Sequence, residues 1–205
     1  MGTFTVDRMQ PSESDAAVVT LARSFHDDPL FNFLIPNHLS QARAALTFMG
    51  SAIADARPFG EIWVARADAN LAGVAVWLPP GGYPRGARRE TQYIARDMRS
   101  VARLGRQFLV GTRLQAKMQR AHHRMEVPHW YLMVLGADPA FQRRGAGTAL
   151  LAPVLARCDD GGVPAYLETQ KPENVPWYHR FGFEVAEQLD AGRAPPMWTM
   201  RREPR

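Results

Sequence analysis

The chain has 205 residues, of which 46% are hydrophobic and 22% charged, with a net charge of +5. These values belong to a soluble globular protein of one domain that can bury a core, and the single cysteine, Cys158, excludes an internal disulfide and fits a reducing compartment. No run reaches the roughly 18 apolar residues of a membrane span, and the start MGTFTVDRMQ has neither a signal-peptide run nor, with Val6, a myristoylation pattern. A cytoplasmic protein without a membrane partner is expected.

Alternation in TFTVDRM predicts a first strand. Pro11 to Asp15 supply helix caps, and Ala17, Val18, Leu21, Ala22 and Phe25 follow at helical spacing until Asp28-Pro29 interrupts them. A second helix is expected over about 40–56, with Leu46, Met49 and Ile53 on one face. EIWVARA and LAGVAVWLP, on either side of Asp68-Ala69-Asn70, read as a hairpin over 61–79 that Pro79-Pro80-Gly81-Gly82 ends. Residues 87–123 read as Arg-rich helix, with Gly105 and Gly111 as candidate breaks and Pro128 as the stop.

HWYLMVLGADP, over 129–139, is the strongest strand, and apolar residues on both parities predict two buried faces. A helix over about 146–158 follows, with Leu150, Leu151, Val154, Leu155 and Cys158 at helical spacing and an unexplained Pro153 inside. VPAYLET, over 163–169, is a strand, and Val175 to Arg180 form a short helix stopped by Phe181-Gly182-Phe183. Residues 183–189 and 197–202 make a final strand pair. The sum is a single mixed α/β domain over 1–205, with a helical insertion at about 80–127 and no internal repeat.

The charge is unevenly placed. From Arg85 to Arg124 there are 11 Lys and Arg against Glu90 and Asp97, a net of +9, while the remainder carries 14 against 18, a net of −4. A basic segment attracts polyanions, but only Tyr93 and Phe108 interleave it as stacking platforms. A helix pair with a solvated Arg face is expected, and no nucleic-acid partner.

The chemistry concentrates in GADPAFQRRGAGTALL, residues 136–151. A strand ends at Asp138-Pro139 and a helix begins near Gly145. The first turn of a helix has free N–H groups at the positive end of its dipole, which makes an anion site. Gly145 and Gly147 let the backbone approach an anion, and Arg143 and Arg144 add charge-assisted hydrogen bonds. Strand, turn, cations, glycines and helix stand in the order a phosphate cradle requires.

That segment matches the Q/R-x-x-G-x-G/A signature of the GNAT acetyltransferases, and YLETQKPENVPWYHRFGFEV resembles the strand, short helix and Y-x-x-x-G-F ending of the same superfamily. Within it, residues 129–189 look most like the puromycin N-acetyltransferase branch, the hairpin over 61–79 less so and 85–124 least. The resemblance implies a GNAT fold: a central mixed, mostly antiparallel twisted sheet flanked by helices, with the insertion between the third and fourth strands and an acetyl-CoA-binding and catalytic core over about 129–189. It implies acetyl-CoA as co-substrate, no metal, and transfer of the acetyl group to the amine of a small molecule by direct attack in a ternary complex. The resemblance points to an acceptor of an antibiotic or aminonucleoside-like kind, though the substrate-facing segments differ too far for puromycin itself to be carried over.

By the same resemblance, Val134, Leu135 and Gly136 line the pantetheine with their backbone. Gln142, Arg143, Arg144, Gly145, Ala146, Gly147 and Thr148 hold the pyrophosphate, and Asn174 contacts the cofactor. Many members place that Asn further upstream; Asn174 precedes Tyr178 by four residues, as in the puromycin branch. Tyr178 is the implied general acid. Glu168, a carboxylate in an apolar strand, is the first candidate for the base, followed by His129, with Glu126, His122 and His123 at the mouth of the insertion as further candidates; a solvated or capping residue is the alternative reading for each of the five. Phe25, Asp28, Phe31 and Trp77 are the candidate acceptor pocket, with core packing an equal reading of the aromatics.

Cys158 lies in a helix pattern without a His partner, there is no G-x-S-x-G elbow and no complete Walker pattern, and the histidines lack zinc spacing. Transfer to a protein or peptide amine, or acetyl-CoA binding without catalysis, are the alternative functions, and either a monomer or a homodimer is compatible.

Overall fold

β3 (Asn70–Leu78) runs through the middle of the molecule, with seven consecutive buried residues from Ala72 to Leu78. The computed structural model describes residues 4–103, 107–190 and 192–205, and their side chains apart from 97–103 and 108; Thr3 and Gly105, parts of the expected first strand and insertion, lie outside the described residues. Around β3 a seven-stranded sheet forms in the order β1-β2-β3-β4-β5-β7-β6. Its members are β1 (Thr5–Arg8), β2 (Ile62–Ala67), β4 (Trp130–Ala137), β5 (Ala165–Thr169), β6 (Phe183–Leu189) and β7 (Met197–Arg202). Every pairing is antiparallel except β4 with β5. That parallel pair needs a crossover, which α6 (Ala146–Gly161) provides.

Alternation along β3 sends its side chains to two separate cores. Val74, Val76 and Leu78 pack with Leu21 of α1 (Ser14–Ser24) and with Met49 and Ile53 of α3 (His38–Ala56). Ala75 and Trp77 pack on the other face with Leu150, Leu151 and Val154 of α6. Each such fully buried aliphatic side chain contributes about 1.5–3 kcal/mol. Leu46 departs from expectation: it is exposed, and the buried stripe of α3 runs instead through Ala45, Met49, Ala52 and Ile53. α6 runs unbroken past Pro153, and nothing in the structure explains that proline.

A further helix, α2 (Pro29–Leu34), starts where Asp28-Pro29 was expected only to interrupt. Asp28 caps it, its Oδ1 accepting the N–H groups of Leu30 and Phe31 at 3.0 Å. The insertion is two helices, α4 (Ala87–Arg103) and α5 (Phe108–His123), and Gly111 lies within the second. Leu114 and Ala121 of α5 pack on Leu189 and Met197 of the last hairpin. α4 is clasped to α3: the buried Asp55 binds Arg85 Nε at 2.8 Å and Arg89 Nη2 at 2.8 Å. Arg88, Arg96, Arg113 and Arg120 are exposed, the solvated face expected of the pair. α7 (Asn174–His179) sits before β6.

Candidate active site

β4 and β5 pair over only three rungs, Trp130↔Ala165, Tyr131↔Tyr166 and Leu132↔Leu167. At that point β4 carries an extra residue. Val76 pairs with Val134 and Trp77 with Leu132, so Met133 is bulged. Past the bulge β4 follows β3 to Ala137, whereas β5 ends at Thr169, and a cleft of about 2060 Å³ occupies the gap. A single-ligand pocket is roughly 300–1,000 Å³, so this one has room for two ligands.

One end of the cleft is made by the β4–α6 connection. Val134, Leu135, Gly136 and every residue from Gln142 to Thr148 line it, with Asn174 and Tyr178 opposite. The connection is tightly fixed. Asp138 accepts the Ala140 N–H at 3.0 Å and pairs with Arg23 of α1 at 3.3 Å, and Gln142 donates to the Ala137 carbonyl at 3.2 Å. Gly136 has no space for a Cβ, which would collide with Ser24 and Leu21 of α1. Arg143 takes a left-handed φ of 58° and Gly145, the residue before α6, a φ of 103° that favours glycine. No side chain caps α6, so its first N–H groups are open to the cleft. Arg143 and Arg144 are exposed and have no carboxylate partner among the described residues.

Gly147 lines the cleft and has a second constraint besides. A Cβ there would stand 3.2 Å from the Trp177 ring, so this glycine lets α7 pack against α6. That packing places Tyr178, buried between Trp177 and Phe183 with ring centroids 4.8 and 5.8 Å away, at the cleft wall. Burial alone pushes its phenol well above the usual range, so it stays protonated at neutral pH. Asn174 donates to Thr169 Oγ1 at 3.2 Å.

Glu168 reaches the cleft from the opposite face of the sheet, beside Tyr131 and Tyr166. Its side chain is only 6% exposed, and Oε1 lies 3.7 Å from His122 Nδ1. His122 Nε2 is 2.8 Å from His129 Nε2, and His129 Nδ1 is 2.8 Å from the Val127 carbonyl oxygen. A carbonyl only accepts, so His129 carries its proton on Nδ1. Burial lowers the His129 pKa, so the ring is neutral and its Nε2 accepts from His122 Nε2–H. The second nitrogen of His122 then faces Glu168. Tyr83, Tyr131 and Tyr166 enclose His122 with ring centroids at 4.2, 4.6 and 4.6 Å.

Of the candidate bases, Glu168, His122 and His129 come together and are buried, with His122 between the other two, whereas His123 and Glu126 are exposed. Its spacing, four residues after Met118 and eight after Leu114, puts His122 on the buried face of α5, against β4, β5 and Tyr83. His129 does not line the cleft and stands behind His122. Phe25, Asp28 and Phe31 line the other end. Trp77 does not: it is fully buried in the α6-side core, because the alternation of β3 turns it away from the face that Val76 and Leu78 share with α1. Burial pushes the Cys158 thiol up to about 12, which leaves it unreactive. Among the described residues no group of His, Cys, Asp and Glu is placed to hold a metal ion, and no helix is long and apolar enough to cross a membrane.

The splayed parallel pair, with a basic glycine turn opening a helix at its mouth, defines an acetyltransferase fold. The family model for the acetyltransferase (GNAT) family matches residues 25–183, and the chain belongs to that family. An uncharacterized N-acetyltransferase of Schizosaccharomyces pombe is 26% identical to it over 211 residues, covering 96% of this chain and 82% of the relative. Among solved structures, the histone acetyltransferase HPA2 and related acetyltransferase from Corynebacterium glutamicum superposes with a TM-score of 0.69 at 20% identity, over 99% of this chain and 97% of that one. The polyamine N-acetyltransferase of Drosophila melanogaster, which forms N-acetylagmatine, gives 0.62 at 17% identity, over 98% and 100%. The PaiA N-acetyltransferase of Thermoplasma acidophilum, in complex with coenzyme A, gives 0.57 at 13% identity, over 98% and 99%. At these identities the solved structures share the fold.

Proposed function

We propose that this protein transfers an acetyl group from acetyl-coenzyme A to a small-molecule primary amine, with both bound together in the β4–β5 cleft. The observation that carries the reading is that one gap in the sheet collects a phosphate-type turn at its mouth, a protonated phenol from one face and a buried carboxylate from the other. The residues present fit the cofactor. Open N–H groups at the start of α6, the left-handed Gly145, and Arg143 and Arg144, which have no carboxylate partner among the described residues, suit a pyrophosphate. The unpaired edge of β4 at Val134, Leu135 and Gly136 suits an amide-bearing arm and offers N–H groups to an acetyl carbonyl. Ala146, Gly147, Thr148, Gln142 and Asn174 complete that wall.

Acetyl-coenzyme A supplies the acetyl thioester. Glu168 takes the proton that the amine gives up as its nitrogen bonds to the acetyl carbon, and His122, backed by His129, stabilises or receives that proton. Tyr178 gives a proton to the sulfur as the carbon–sulfur bond breaks. No metal has a part in these steps. Within the family, the sequence over 129–189 supports kinship with the puromycin N-acetyltransferase branch.

The test is release of free thiol from acetyl-coenzyme A across primary amines, with calorimetry of coenzyme A binding in metal-free buffer. Amine-dependent thiol release and metal-independent binding are expected. Binding without thiol release for any amine would reduce the protein to a coenzyme A binder, and release only with peptides would move the acceptor to a protein.

A further inference from the structure

At the far end of the cleft the walls are apolar. Phe25, Phe31 and Phe48 form an edge-to-face row with centroids 6.0 and 5.7 Å apart, and Leu114 and Met118 of α5 face the same space. Ile94 of α4 is 49% exposed and opens into the cleft rather than into a core. A half-exposed isoleucine on a cleft wall is covered when an apolar body lies beside it.

The arginine at this end is already paired. Arg85 lines the cleft, but its Nε binds Asp55 at 2.8 Å, its Nη1 lies 3.6 Å from Glu90, and its guanidinium stacks 3.8 Å from the Tyr93 ring centroid. Lys171, where this end meets the cofactor side, stands near the buried Asp28. The carboxylates that line the cleft here are Asp28, Glu90 and Glu168. An acid group on the acceptor would find Arg85 committed to Asp55 and Glu90 and Lys171 beside the charge of Asp28. A second ammonium placed among the phenylalanines would lose its hydration where Asp28 already caps α2 and Glu90 already faces Arg85.

From this we infer that the acceptor is a bulky alkyl or aryl primary amine with one cationic nitrogen and no acidic group. The inference rests on the acetyl-transfer reading and narrows it. The amine end lies toward Glu168, and the apolar body fills the space between α2, α3, α4 and α5.

Initial rates of thiol release from acetyl-coenzyme A by the full chain test it with butylamine, hexylamine, octylamine, 2-phenylethylamine, phenylalanine and spermidine. The expected kcat/KM rises about fourfold per methylene from butylamine to octylamine, and 2-phenylethylamine exceeds phenylalanine and spermidine by on the order of a hundredfold. Ile94→Asp should lower kcat/KM for octylamine about tenfold and that for butylamine by a smaller factor. A flat or falling series, or preference for spermidine or phenylalanine, overturns the substrate class and leaves acetyl transfer standing. Absence of thiol release with every amine removes the acetyl-transfer reading, and this inference with it.

Discussion

At the α6 end of the cleft, the lining groups come from one continuous stretch, 134–148, and from the short turn of chain around α7. At the α5 end the wall draws on α1, α2, α3, α4 and α5. Arginines occur at both ends and mean different things. Arg143 and Arg144 have no carboxylate partner among the described residues, whereas Arg85 and Arg89 bind Asp55, which arrives from α3. The same residue type marks a place for an anion in one region and a clasp in the other. What decides is a buried carboxylate some thirty positions away in the chain (30 between Asp55 and Arg85).

The largest effect that sharpens this contrast belongs to the gap itself. Tyr178→Phe should lower kcat by about 10²–10⁴-fold with coenzyme A affinity unchanged in calorimetry; an unaltered kcat, with chemistry rate-limiting, would remove Tyr178 from the reaction. Glu168→Gln should fall within the same range near pH 7 and recover as pH rises, because the amine then loses its proton unaided. A Gln variant with the wild-type pH–rate profile would exclude Glu168 as the base.

The clasp is a stability feature. Asp55→Ala leaves two guanidinium groups, one of them almost fully buried, without their partner, and should cost about 3–5 kcal/mol in urea unfolding. Arg143→Ala, at the open end, should change stability by less than about 0.5 kcal/mol. Equal losses in the two variants would erase the distinction between clasp and anion site. A smaller effect follows from His129. Burial holds its pKa below the ordinary 6.5, so below that pH the unfolded chain binds a proton that the folded chain refuses. Stability should therefore fall as pH drops from 6.5 toward the lowered value, with a slope from this group of at most about 1.4 kcal/mol per pH unit. Unfolding of His129→Gln across that window should show a shallower slope.

The contrast also explains what could be read in the sequence. The two final strands, at 183–189 and 197–202, coincide with β6 and β7, and the anion turn is visible because its parts are consecutive. Each of these signals is local: alternation for a strand, glycine and arginine before an apolar helix for the turn. Glu168 was visible because a carboxylate in an apolar strand stands out. His122 is one candidate among several in the sequence, and what sets it apart is not local: three tyrosines from the β3–α4 segment, β4 and β5 enclose it. Trp77 was misplaced because composition identifies a buried aromatic without saying which face of the sheet buries it. The contact of Gly147 with Trp177 is not legible, as that neighbour lies on another helix.

The division of the cleft into a cofactor end and an acceptor end is tested most directly by initial rates over a grid of both substrates in Gly145→Val and Phe31→Ala. A valine at a φ of 103° distorts the start of α6, so Gly145→Val should raise the apparent constant for acetyl-coenzyme A by about tenfold or more and leave that for octylamine within about twofold. Phe31→Ala should do the reverse, since it removes a wall of the apolar end. If Gly145→Val raises the constant for the amine instead, or both variants raise both constants alike, the two ends do not bind separate partners and the account is contradicted.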